Sequence, residues 1–206
     1  MSQPHQAPHR RALAAPALAA ALLAFLTPAR ADAYEKQWHV GMSFGYTALM
    51  GQNPTRHGMG GGLHLTYGLT DAFNLMAEAE ASGHFGRAAV PAATKNDTAL
   101  PEQNGAAFTR AGVGVGYVVD VLQWVPYVGL VVGAADIVNM GPLCGTTGQA
   151  PCHDLRLDLA LPFGLDYSIN RSFSVGVGGR YQMLISGQPL INALGVFARA
   201  EYVWGY

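Results

Sequence analysis

From Trp38 onward the chain alternates between apolar and polar or small positions. Trp38, Val40, Met42, Phe44, Tyr46 and Ala48 are separated one by one by His39, Gly41, Ser43, Gly45 and Thr47. Successive side chains of an extended strand point to opposite faces, so this run predicts a strand with one apolar face. The pattern returns in Leu63–Thr70, Phe73–Ser82 and Thr109–Asp120. A fifth strand is expected near Tyr127–Asp136, where both faces are apolar and the alternation does not set the register. The sixth, Leu155–Tyr167, is the clearest, with Leu155, Leu157, Leu159, Leu161, Phe163, Leu165 and Tyr167 on one side. Its Pro162 lacks a backbone donor and predicts a bulge or bend. Phe173–Gln182 and Leu194–Tyr206 complete a set of eight, and no window after Ala33 has the length and apolarity of a membrane-spanning helix.

The connections alternate in length. Those after the second, fourth and sixth strands are brief, whereas those after the first, third, fifth and seventh are long and rich in Gly, Pro and Asn. One face of the strands is apolar throughout, and the other mixes charges with glycines. A soluble eight-stranded barrel has apolar residues inside and polar ones toward water. Here eight strands enclose a space only wide enough for side chains, so the small and charged face points inward and the apolar face meets lipid. Closure leaves no unpaired strand edge in a medium without water. Trp38, Tyr67, Phe73, Tyr117, Tyr167, Phe173, Tyr202, Trp204 and Tyr206 fall at the short-turn end of the apolar rows and predict an interfacial aromatic girdle. Phe44, Tyr46 and Tyr181 predict a sparser one at the other end. The expected fold is all-β, an eight-stranded antiparallel up-and-down transmembrane β-barrel preceded by a cleaved signal peptide.

The signal is read from His9-Arg10-Arg11, the apolar run Ala12–Leu26, and Ala31-Asp32-Ala33, an A-x-A cleavage pattern. The run is shorter than the roughly 20 residues of a spanning helix. Residues 1–33 are therefore expected to be signal peptide and residues 34–206 the barrel domain. Removing Arg10, Arg11, Arg30 and Asp32 leaves nine basic and twelve acidic residues, which excludes an electrostatic footprint for nucleic acid. Cys144 and Cys152 are the only cysteines, eight apart in a Gly/Pro/Thr-rich stretch, and predict a loop disulfide formed in an oxidising compartment.

Signal, eight dyad strands, turn asymmetry and a final strand carrying Tyr202, Trp204 and Tyr206 together resemble the small OmpA-like and OmpX-like outer-membrane barrels. The resemblance covers essentially all of residues 34–206. It implies a cell outer-membrane location, long loops outside and both mature termini in the periplasm. The partners it implies are outer-membrane lipid and lipopolysaccharide, and the outer-membrane assembly machinery, engaged through the C-terminal strand. Unlike full-length OmpA, the chain stops at the barrel, so no peptidoglycan-binding domain is expected. A monomer without cofactor is expected.

The inward faces carry Glu78, Glu80, Asp158 and Glu201 against Arg110, Arg156, Arg180 and Arg199. Four acids and four bases in a narrow lumen predict pairing, since unpaired charges there are costly. A plugged, non-enzymatic scaffold follows, whose loops serve surface interaction or envelope integrity. The alternative is a narrow gated channel for small solutes, and a remote one is a lipid A-modifying enzyme using Glu80, Ser82 and His84. Against catalysis, those residues face the lumen, same-face neighbours on a strand lie roughly 7 Å apart, and the order Ser-x-His differs from the His-x-Ser of the deacylase family. His57, His84 and His153 lie in or beside three different loops, and no metal site is expected from their spacing. Gly58–Gly62 lacks the Lys-Ser/Thr of a phosphate loop and is expected at a strand entry or in a flexible loop. The polar stretch Gly83–Ala106, with Arg87, Lys95, Asn96, Asp97 and Glu102, and the cysteine loop are where an extracellular ligand would be met.

Overall fold

The computed structural model describes residues 34–51, 55–86, 105–119, 123–138, 152–186 and 190–205. The expected signal peptide, residues 1–33, and Tyr206 lie outside them. Eight strands follow in order: β1 (Trp38–Met50), β2 (Arg56–Gly68), β3 (Phe73–His84), β4 (Ala106–Val118), β5 (Trp124–Val138), β6 (His153–Asn170), β7 (Phe173–Ile185) and β8 (Ile191–Trp204). Each pairs antiparallel with the next, and β8 pairs with β1, so the sheet closes without an edge. The registers fix the stagger. From Val40 the partners run through Leu65, Ala77, Val113, Val132, Leu159, Met183 and Asn192 and return to β1 at Met50, ten residues further along. Eight strands with that stagger tilt about 40° from the barrel axis.

Alternation holds on every strand, with the apolar set outside. Val113 is 67% exposed and Met42 65%, whereas inward-facing Asp158 is 0% exposed. An arrangement that leaves so many large apolar side chains outside and buries its charges is inverted relative to a soluble barrel and suits a lipid surround. The aromatics at the short-turn end pack in pairs and short chains. Trp38 lies 4.6 Å from Tyr67 and 6.4 Å from Trp204, Phe73 meets Tyr117 edge-on at 5.3 Å, and Trp124 lies 4.8 Å from Tyr167. Trp124, expected in the turn before the fifth strand, instead opens β5 and sits in this ring.

Three expectations are sharpened. Pro162 causes no bulge. Pairing of β5 with β6 skips from Val128↔Phe163 to Val131↔Ala160 without changing register, so the missing donor only interrupts the ladder; the register shift lies at Ser168–Asn170, against β7. Gly58–Gly62 lies just inside the start of β2, in its long-loop half, paired along β1 and β3 and not in a loop. Its inward glycines give side chains across the wall room, and a Cβ on Gly62 would lie 3.2 Å from Ser43 Oγ. The register of β5 is set with Val125, Tyr127, Val131, Ala135 and Ile137 inside and Trp124, Val128, Leu130 and Val132 outside. Both faces are apolar because β5 supplies apolar groups to both ends of the lumen as well as to the lipid.

A charge on the lipid face at mid-height should destabilise far more than one at the rim. Val113→Arg is expected to lower the unfolding free energy by about 2–4 kcal/mol and Leu69→Arg by about 0–1, measured by denaturant titration of the barrel in lipid vesicles. Equal costs at the two positions would contradict the placement of the apolar band.

Candidate functional site

The lumen holds the chemistry, and it is built in layers. At mid-height Arg110, from β4, is central: its Nε donates to Asp158 Oδ2 at 2.6 Å and its Nη1 to Glu78 Oε2 at 2.9 Å. Arg180, from β7 on the opposite wall, reaches the same Glu78 at 3.2 Å and donates to Glu80, which also accepts from Thr47 at 3.4 Å. Phe197 lies under the Arg180 guanidinium, 5.0 Å from its centroid. Such long side chains fit because glycines stand beside them. Glu78 is paired in register with Gly112, and Asp158 with Gly133.

Nearer the short-turn end a second cluster gathers on Glu201. Arg199 and His64 both bond its Oε1, the imidazole Nε2 at 2.7 Å, while His39 Nδ1 lies 3.4 Å from Oε2 and Ser174 donates to that oxygen at 3.3 Å. Arg199 also faces Asp166 at 3.4 Å and lies over the Tyr127 ring at 4.4 Å. Arg156 stands apart, toward the long-loop end, donating to Asp154 at 2.7 Å and to the Leu184 carbonyl at 3.5 Å. The eight charged residues picked out in the sequence thus divide among three groups. Asp154, Asp166, His39 and His64, absent from that set, are integral to them. Their signal was parity: His39, His64 and Asp166 occupy inward positions of their strands, and histidines do not enter a balance of Asp and Glu against Lys and Arg.

Apolar layers close both ends. At the long-loop end Leu49, Phe108, Ile137, Leu184 and Ile191, all 0% exposed, pack with Ala106, Ala135 and Ala193 to roof the lumen. At the short-turn end Tyr34, Val118, Val125 and Tyr127 form a floor. The roof residues continue the inward parity just beyond the ends expected for their strands.

The remaining candidates separate. Ser82 Oγ and His84 Nε2 lie 3.1 Å apart, so the expected distance between same-face neighbours does not hold here; the two side chains lean together. Among the described residues no acid completes the set. Beyond Ser82, His84 meets the Arg56 backbone, and Glu80 is engaged by Arg180 and Thr47. His57 and His153 point outward, to the Tyr46 hydroxyl and to Asp136 at 2.7 Å, away from inward His84. Among the described residues no group of three His, Cys, Asp or Glu is placed to hold a metal. Cys152 is disulfide-bonded, and Cys144 lies outside the described residues, as do Arg87, Lys95, Asn96, Asp97 and Glu102.

Removing one partner of the buried mid-height network leaves charges uncompensated. Arg110→Met is expected to cost about 3–5 kcal/mol of unfolding free energy by denaturant titration in vesicles. The triple variant Arg110→Met, Asp158→Asn, Glu78→Gln should recover most of it. A single variant as stable as the parent would show that the network is not stabilising.

Comparison with known proteins agrees with this architecture. The model of the outer membrane protein beta-barrel domain family matches residues 17–194. Among solved structures, Neisserial surface protein A superposes with a TM-score of 0.61 at 11% identity, over 80% of this chain and 96% of that one. OprG from Pseudomonas aeruginosa superposes with a TM-score of 0.56 at 13% identity, over 85% and 100%. Ail, the attachment invasion locus protein of Yersinia pestis, in complex with the heparin analogue sucrose octasulfate, gives 0.55 at 13% identity, over 82% and 99%. No curated protein sequence matches. At these identities the structures speak for the fold, and the family match covers most of the chain: it belongs to the outer membrane protein beta-barrel domain family, and resides in the outer membrane with its long loops outside.

Proposed function

We propose that the barrel is a non-enzymatic scaffold with a closed lumen, of the OmpA-like and OmpX-like kind, whose extracellular loops serve surface interaction or envelope integrity. The observation that carries this reading is the apolar roof. Five large side chains with no exposed surface lie across the extracellular mouth, above charges already paired with one another. An apolar constriction excludes water and with it hydrated solutes. The paired charges beneath supply mechanical filling and stability, and offer no row of free ligands along which an ion would step. With the lumen closed, the outer surface available for recognition is that of the long connections, including the segment between Gly86 and Gly105 and the cysteine loop. Lipid and lipopolysaccharide surround the wall, and the assembly machinery would read the C-terminal strand.

The test is single-channel recording of the refolded mature barrel in a planar bilayer. The parent, Arg110→Met and Glu80→Gln are all expected to be silent. Discrete openings in the parent, altered by either neutralisation, would replace the scaffold with a narrow channel for small solutes.

A further inference from the structure

The floor of the lumen is built differently from its roof. Roof side chains project from strands held on both sides by ladder hydrogen bonds, whereas the floor's central ring, Tyr34, precedes β1 and is held by a short turn. Lys36 takes the left-handed conformation, with φ of 63°, and folds the chain back under the barrel. Two backbone bonds tie this turn to the end of β2, Lys36 N–H to the Gly68 carbonyl and Gly68 N–H to the Gln37 carbonyl, each 2.9 Å. The Tyr34 carbonyl rests against Gly68, where a Cβ would collide with it. The Tyr34 ring stacks on His39 with centroids 4.2 Å apart and packs against Val118, Val125 and Tyr127.

Around it lie buried polar groups: Thr66 Oγ1, Asn74 Oδ1, the Tyr127 hydroxyl, which faces Arg199, and His39 Nε2, which has no hydrogen-bond partner among the described residues. Thr66 and Asn74 face the Tyr34 phenol itself. Buried polar groups in folded proteins are satisfied by protein or by ordered water. The set mixes hydroxyl donors with an amide oxygen acceptor and an imidazole nitrogen, so it matches water, which both donates and accepts, better than an ion of either sign. Water cannot reach it through the roof, which is apolar, or through the wall, whose backbone groups are paired and whose outer face is in lipid.

We propose that Tyr34–Gln37 is a hinged floor that swings away from the lumen into the periplasm and admits water to the polar groups above it. The hinge is Lys36, and opening breaks the two bonds to Gly68 without disturbing a ladder bond within the strands. Access is one-sided, because the roof remains shut while the floor moves.

Thr66→Cys, a near-isosteric change at a 2% exposed inward site, reports on the floor. In a Cys144→Ser, Cys152→Ser background, the full mature barrel in nanodiscs would be treated with a water-soluble maleimide. Slow modification is expected, accelerated at least tenfold by Tyr34→Ala and likewise by Gly68→Val, which wedges the turn from its seat. Ala193→Cys, buried within the roof, should stay unmodified in all backgrounds. The proposal is overturned if Tyr34→Ala and Gly68→Val leave the Thr66→Cys rate unchanged. It is overturned equally if Ala193→Cys accelerates in parallel, since that would mean general loosening of the barrel.

Discussion

The constraint from which the rest follows is that backbone N–H and C=O groups within a bilayer have only one another to bond. An isolated strand leaves both of its edges unpaired, and an open sheet still leaves two; closing β8 onto β1 leaves none. Closure around a narrow axis divides every strand into a lipid face and a lumen face, and thereby gives the sequence its period of two. The inverted distribution, apolar outside and charged inside, is therefore not a separate design choice. It is what a closed ladder becomes when the surrounding solvent is hydrocarbon and the interior is too narrow for bulk water.

Eight strands with a ten-residue stagger also fix the volume to be filled, with a backbone radius of about 8 Å. Arg110, Arg180 and Arg199 each extend far enough to meet partners on other strands, and that reach is accommodated only because neighbouring inward positions are small. Gly178 illustrates this: a Cβ there would approach the Tyr127 hydroxyl at 2.5 Å and the Phe197 ring at 2.6 Å. Long charged groups and glycines are thus one packing solution. The apolar roof adds a different effect, because charges that are paired below a water-excluding layer interact in a low effective dielectric, which strengthens satisfied pairs and penalises broken ones.

The wall was readable in the sequence because lipid and lumen impose opposite chemistries on adjacent residues, and Leu155–Tyr167 displays that contrast over its full length. Where the two faces share a chemistry the signal fails. Strand β5 is apolar inside because Val125 and Tyr127 serve the floor and Ile137 the roof, so alternation could not orient it. The same cause hid the roof: Leu49 and Phe108 are apolar on an otherwise polar face and look like the end of a strand rather than its continuation. Inward charges are visible in the sequence by type, but which of them share a level is not. Arg156 turns to Asp154, two residues away on its own strand, while Arg199 and Glu201 recruit His39 and His64 from strands distant in sequence. Register decides which inward groups share a level, and register comes from the closed ladder as a whole.

The two ends of the lumen differ in how they can respond to thermal motion. Exposing Phe108 or Leu184 to the exterior requires strands to separate, at the cost of bonds on both sides of each, so opening at that end belongs with global unfolding. Tyr34 is attached through a turn outside the ladder, and its release costs local contacts only. A closed barrel of this kind therefore has a stability gradient along its axis, highest at the roof and lowest where Gly68 supports the turn through which the chain enters. Thr66, Asn74, Tyr127 and His39 bring buried polar groups to the shallow end, beside the boundary that the sheet itself does not hold shut.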